Sequence, residues 1–134
     1  MDESAPTCAV MPSPVAGLGQ AARLPQLMAT GNWLTTTTGE VVVLRGVNLV
    51  SKIAKTPEEL GFNERHARLL AERGFSVVRL GVLWCNVEPY FKPDGVHREY
   101  DLDVLASLKR TIALLSRHGI YTLVGDNYLG RRPR

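Results

Sequence analysis

Three side chains in the middle of the chain are of types that do chemistry: Asn48 in RGVNLV, Arg79 in SVVRLGV and Trp84 in GVLWCNVEP. Asn48 offers an amide that donates and accepts, Arg79 a permanent cation with a planar fork of donors, and Trp84 a flat indole face. Amides and guanidinium groups grip hydroxyls and carboxylates, and an indole stacks on a sugar ring, so the set suits a carbohydrate. Two of the three also have a plainer reading, in which Asn48 caps a turn and Trp84 plugs the rim of the fold. Arg79 is harder to set aside, because a charge inside an apolar run must find a partner or destabilise the fold.

Such residues need a scaffold, and the hydrophobic pattern alternates strand with helix. NWLTTTTGEVVV predicts a small hairpin that pairs Trp33 and Leu34 with residues 41–43 across a threonine turn. VVVLRGVNLV is a nearly continuous apolar run, as in a strand covered on both faces. In TPEELGFNERHARLLAERG, a capping box on Thr56, Pro57 and Glu59 predicts a short helix ending at Gly61. A longer helix follows over residues 63–73, capped by Asn63 and stopped by Gly74. FSVVRLGVLW is the second strand, and CNVEPYFKPDGVH a loop with a Pro-Asp-Gly turn. The best helix is YDLDVLASLKRTIALLSRHG, where Leu102, Leu105, Leu108, Ile112 and Leu115 make an apolar stripe and Arg117 and His118 sit at the negative end. Gly119 closes it, and IYTLV is the third strand.

LLAERGFSVVRL and LLSRHGIYTLV are near repeats whose glycines, Gly74 and Gly119, stand 45 residues apart. That period fits a strand-helix-strand-helix-strand series, hence a parallel sheet with right-handed crossovers. The fold class is α/β. A doubly wound sheet and part of a (β/α)8 barrel both satisfy the periodicity. In a barrel the C-terminal ends of the strands face the site, so Asn48, placed after the first strand, and residues 79–84, after the second, are the positions to read.

Composition narrows the function classes. With 134 residues and 45% hydrophobic content, the chain makes one domain with a real core. Its net charge of +3 is carried wholly by Arg131, Arg132 and Arg134, so the body is neutral and gives no electrostatic case for nucleic acid. Cys8 and Cys85 are far apart and frame no disulfide scaffold. Residues 1–30 read as a flexible extension: the acidic, Pro- and Gly-interrupted start has no secretion-signal pattern, and no run of about 18 apolar residues exists to span a membrane. No compartment is assigned. GLGQAA matches a loose dinucleotide fingerprint, but MPSPV before it cannot supply the buried strand that such a site requires. GVNLVSKIAK lacks the glycines of a phosphate-cradling loop. His66, His97 and His118 have no metal-ligand spacing, and no metal or cofactor is expected.

Three segments in order, GNWLTTTTGEVVVLRGVNLVSK, GFSVVRLGVLWCNVEP and YDLDVLASLKRTIALLSRHGIYTLV, resemble the opening of family 5 of the glycoside hydrolases, in particular its endoglycoceramidase-like members, over residues 31–124. The resemblance implies a partial (β/α)8 barrel, about the first three βα units, preceded by a hairpin that closes its bottom. It also implies a retaining O-glycosidase whose substrates are glycosphingolipids or related β-glycosides. By this resemblance Arg79 matches an arginine beside the nucleophile that helps keep it ionised, since opposite charge favours the carboxylate. Asn48 matches the asparagine after strand one, Lys52 a lysine that lines the sugar site, and Trp84 and Glu88 belong to a W-x-x-V-E-P segment. Glu88, before a proline in a loop, reads as structural.

Departures from the family matter as much. Its acid/base and nucleophile glutamates, about 5 Å apart in a retaining enzyme, follow strands four and seven, whereas three strands are expected here. No catalytic residue is therefore assigned: Asp101 and Asp103 are helix-start residues, and Glu58 and Glu59 belong to the capping box. After YTLV the family continues with an Asp-aromatic-His-Gln-Asp segment, where this chain has GDNYLGRRPR. Residues 125–134 thus read as a divergent basic tail. Either Asp126 corresponds to the last acid of that segment after a deletion, or the text after Val124 is in a shifted frame. The chain alone is expected to be inactive, or to be a non-catalytic sugar-binding or regulatory fragment. The open edges of a three-stranded sheet favour self-association.

Overall fold

The computed structural model describes residues 24–91 and 98–126. GLGQAA, Cys8, the Pro-Asp-Gly turn, His97 and the arginines of the tail lie outside the described residues.

A two-residue loop at Gly31 and Asn32, with Gly31 at φ 58°, joins Leu27–Thr30 (β1) to Trp33–Thr36 (β2) in an antiparallel hairpin. The ladder partner of Trp33 and Leu34 is thus β1, inside the segment read as an extension, while the threonine turn brings the expected partner, residues 41–43, to the other edge of β2 in part. Val41 makes only a single bridge to Thr35, and Val42 N–H donates to the Leu34 carbonyl at 2.8 Å.

Gly46–Val50 (β3) follows, starting five residues later than the apolar run suggested. Residues 57–61 form a hydrogen-bonded turn in place of the expected short helix, although Thr56 Oγ1 does accept from Glu59 N–H at 3.2 Å. Glu64–Glu72 (α1) is capped by Asn63 as its sequence predicts, and His66 Nδ1 accepts back from the Asn63 N–H. Then come Val77–Val82 (β4), the short Trp84–Val87 (α2), the paired Tyr90–Phe91 (β5) and Arg98–Glu99 (β6), Leu102–Arg117 (α3), and Tyr121–Asp126 (β7). Asp101 caps α3 through Val104 N–H at 3.1 Å. β7 continues through Gly125 and Asp126, which pair with Gly81 and Val82, so the strand does not stop at Val124.

β3, β4 and β7 form a parallel sheet in the order β3-β4-β7, with Asn48, Arg79 and Leu123 on one rung. Alternation along the strands turns Val78 and Leu80 to the other face, where both are fully buried. Val78 packs with Ala67 of α1, Leu115 of α3 and Ile120, while Leu80 packs with Val104 and Leu108 of α3. Helices α1 and α3 thus share one face. The opposite face leaves Leu123 58% and Val50 37% exposed, so these strands are not apolar for being covered on both sides. At its N-terminal end the Tyr121 hydroxyl donates to the Pro25 carbonyl at 2.7 Å, which brings the lead-in to the hairpin there, and burial pushes the Tyr121 phenol pKa up.

The buried side of α3 differs from the expected stripe. Val104, Ser107, Leu108, Thr111 and Leu115 are buried, whereas Leu102, Leu105 and Ile112 are exposed. Ser107 faces inward because its hydroxyl donates to Glu58 Oε2 at 2.9 Å, in a charged clamp that ties the 57–61 turn to α3. Arg110 Nε donates to Glu58 Oε1 at 2.9 Å and Nη2 to Oε2 at 2.7 Å, a two-pronged grip. The Arg110 hydrogen bond foremost, against a desolvation penalty and with help from Ser107, holds the Glu58 carboxyl down to about 2 from its ordinary 4.5. A depressed folded pKa means stability present above the unfolded value and lost as pH falls through the folded one. Wild type should therefore exceed Glu58→Gln in urea midpoint near neutral pH. The difference should shrink below about pH 4.5 and vanish near pH 2. Both side chains are largely exposed, so screening keeps the difference small and added salt reduces it further.

Candidate functional site

The site is built from the bare face of the sheet and the loops at its C-terminal end. Arg79, half-buried in the central strand, has Asn48 beside it on β3 and Leu123 beside it on β7. Its guanidinium lies across β7 over Gly125: a Cβ at that position would stand 2.9 Å from Nη2 and 3.1 Å from Cζ and Nε. Gly125 is thus the floor on which the guanidinium rests, and any side chain there would push it aside. Asn48 is in mid-strand, not after the strand, because β3 begins late and runs to Val50. Its amide is exposed beside Arg79 in the ladder, so it caps no turn.

Trp84 opens α2 one residue beyond Leu83 and is 44% exposed, which shows an open indole face in place of a buried plug. Lys52 is exposed in the loop that leaves β3. That loop is shaped by Ser51, whose Oγ accepts from the N–H groups of Ile53 at 3.1 Å and Ala54 at 2.7 Å. Asn86 Nδ2 reaches the Lys55 carbonyl at 3.5 Å and ties α2 to the same loop. Between them Leu49, Ser51, Ala54, Gly81, Leu83 and Asn86 line a depression with an enclosed volume of about 10 Å³, room for about one water. A sugar-sized ligand would have to lie on the open face and rim. Glu88 ends α2 and is buried, with 4% exposure.

Asp126 is separated from this group. It pairs with Val82, and alternation puts both on the side of Leu80 and Val124, opposite Arg79 and Gly125. The structure therefore brings Asn48 and Arg79 together, sets Lys52 on the loop after β3 and Trp84 at the start of α2 at the same end of the sheet, and turns Asp126 away. Several other carboxylates have structural work: Glu58 in its clamp, Glu59 accepting from Lys55 N–H at 2.8 Å, and Asp101 at its cap and 3.8 Å from Lys55 Nζ. Glu64 bonds His118 Nε2 and Arg117 Nη2, and the His118 bond foremost holds its carboxyl pKa down. Among the described residues no three His, Cys, Asp or Glu side chains are placed to hold a metal ion, and no helix is long and apolar enough to cross a membrane. Gly125 is the site residue that the sequence reading missed. Its signal was a small residue two positions beyond Leu123, on the same strand face as Arg79.

This arrangement is similar to a solved structure described as the crystal structure of endogalactoceramidase, with a TM-score of 0.58 and 25% sequence identity. The match covers 74% of this chain and 22% of that one, so the chain spans about a fifth of the length of its neighbour. No protein-family model matches the sequence, and no curated protein does. The likeness supports a glycoside-hydrolase-like fold.

Proposed function

We propose that this chain forms the first three βα units of a (β/α)8 barrel of family 5 type and carries one wall of its sugar site. The reaction served would be retaining hydrolysis of glycosphingolipids or related β-glycosides. The observation that carries this reading is the Asn48–Arg79 rung on the open face, with Gly125 clearing the guanidinium. The one-sided helix layer, the hairpin lead-in at the N-terminal end and the likeness to an endogalactoceramidase support it. In such a site Asn48 would hydrogen-bond a sugar hydroxyl, Trp84 would stack on a ring, and Arg79 would favour the ionised form of a neighbouring nucleophile.

Retention requires two carboxyl groups about 5 Å apart across the scissile bond. Glu58, Glu59, Glu64 and Asp101 have the structural work described above, and Asp126 is on the opposite face. On this reading the polypeptide binds a sugar through the exposed Trp84 face. Titrating the oligosaccharide of a glycosphingolipid into a Trp33→Phe background should quench Trp84 fluorescence. Asn48→Ala should weaken that binding by about tenfold, the loss of the hydrogen bond it gives a sugar hydroxyl. An unquenched Trp84 would sink the sugar-site reading. Hydrolysis of a fluorescent ceramide glycoside by the purified chain would overturn the expected inactivity.

A further inference from the structure

We propose that the loop at residues 51–55, together with Trp84, docks on an anionic phospholipid surface. Ile53 at its tip is 95% exposed. One exposed isoleucine is ordinary, but its surroundings are not. The tip is held in place: Ser51 Oγ accepts from two successive N–H groups, those of Ile53 and Ala54, so the isoleucine is displayed by a formed turn. Lys52 and Lys55 flank it, both exposed; Lys55 Nζ is 3.8 Å from Asp101 and its backbone N–H donates to Glu59 at 2.8 Å, so Lys52 supplies the net positive charge at the tip. Trp84 stands at the same end of the sheet, because Asn86 of its helix bonds the Lys55 carbonyl and Leu83 lines the same small depression as Ser51 and Ala54.

An apolar tip, a half-exposed indole and flanking lysines form the composition that settles at a bilayer interface. The apolar groups enter the headgroup boundary, the indole sits at its level, and the lysines meet anionic headgroups. Lys52, beside the apolar tip, favours an anionic membrane over a neutral apolar partner, which would gain nothing from it. The surface shares Trp84 with the proposed sugar site, but phospholipid vesicles carry no sugar, so failure to float and failure to bind an oligosaccharide are separate results.

Flotation of the full chain with vesicles of phosphatidylcholine, with and without phosphatidylserine, tests it. The chain should float with the mixed vesicles, less with phosphatidylcholine alone, and less as salt is raised. Ile53→Ser, at a position almost wholly in solvent, should keep the far-ultraviolet circular dichroism of wild type and lose about tenfold in partitioning. Lipids brominated in the acyl chain should quench Trp84 in the Trp33→Phe variant and spare Trp33 in the Trp84→Phe variant, because Trp33 is on the hairpin whose lead-in meets the other end of the sheet. No flotation with mixed vesicles, equal flotation of Ile53→Ser, or equal quenching of the two tryptophans would each overturn the proposal.

Discussion

Gly46→Ala should destabilise the protein by about 3 kcal/mol, enough to unfold a marginal domain. A Cβ at this position would lie 1.9 Å from the Val77 carbonyl oxygen, 2.5 Å from Val77 Cγ1 and 2.7 Å from its carbonyl carbon. Backbone cannot swing aside as a side-chain end can, so the two strands would have to part. They are held together on both sides of the contact: the Arg45 carbonyl accepts from Ser76 and Val77 N–H at 2.8 and 3.2 Å, and Val47–Val78 and Asn48–Arg79 form the next rungs. The damage would reach the site, since those rungs set Asn48 beside Arg79. Gly39→Ala is the control, because Gly39 at φ 88° has nothing within 4 Å of its would-be Cβ and should cost only the strain of that backbone, about 1 kcal/mol. Urea unfolding of both variants reads the difference. A Gly46→Ala protein as stable as Gly39→Ala would mean that β3 does not pair with β4 in this register.

The parallel α/β order was legible because the signals for it are local. Asn63 and Asp101 cap their helices, and Gly74 and Gly119 end them in the left-handed conformation, at φ 72° and 73°. What failed depended on choices between equivalent local options. Trp33 and Leu34 pair in a ladder with β1, which the sequence left inside an extension, as well as meeting the expected residues 41 and 42. Helix α3 has apolar residues on most of its circumference, so periodicity did not single out the stripe that packs. Ser107 is turned inward by its bond to Glu58, which comes from a distant part of the chain and also holds Arg110.

Part of the candidate site was legible in the same way. Arg79 stood out as a charge in an apolar run, and the structure gives it Gly125 as a floor. Asn48 was visible as a polar residue in RGVNLV, but its place next to Arg79 is a matter of register, which no local pattern encodes. Gly125 looked like the end of a strand because glycine weakens strands in general, whereas here it remains in the strand where a guanidinium needs the space. Asp126 was a candidate only through the resemblance, as the last acid of the family segment after a deletion. One further residue of strand turns it to the other face, so parity and not proximity along the chain excludes it from the Asn48–Arg79 group.

The same parity makes adjacent rungs of the sheet unequal in energy. Leu80→Ala should cost about 3 kcal/mol, the range for removing a fully buried leucine with limited collapse around the void. Leu80 is 0% exposed on the central strand and is packed by Val104 and Leu108, with Leu49, Val82 and Val87 around them. Its neighbours belong to four strands and helices, β3, β4, α2 and α3, so little can move in to fill the space. Leu123→Ala is the counterpart on the bare face of β7. At 58% exposure it gives up little apolar burial and should cost less than about 1 kcal/mol. Thermal or urea unfolding of the pair therefore measures how one-sided the core is. Equal losses would mean that Leu123 is covered in solution, and that the face bearing Asn48 and Arg79 is not open to a ligand.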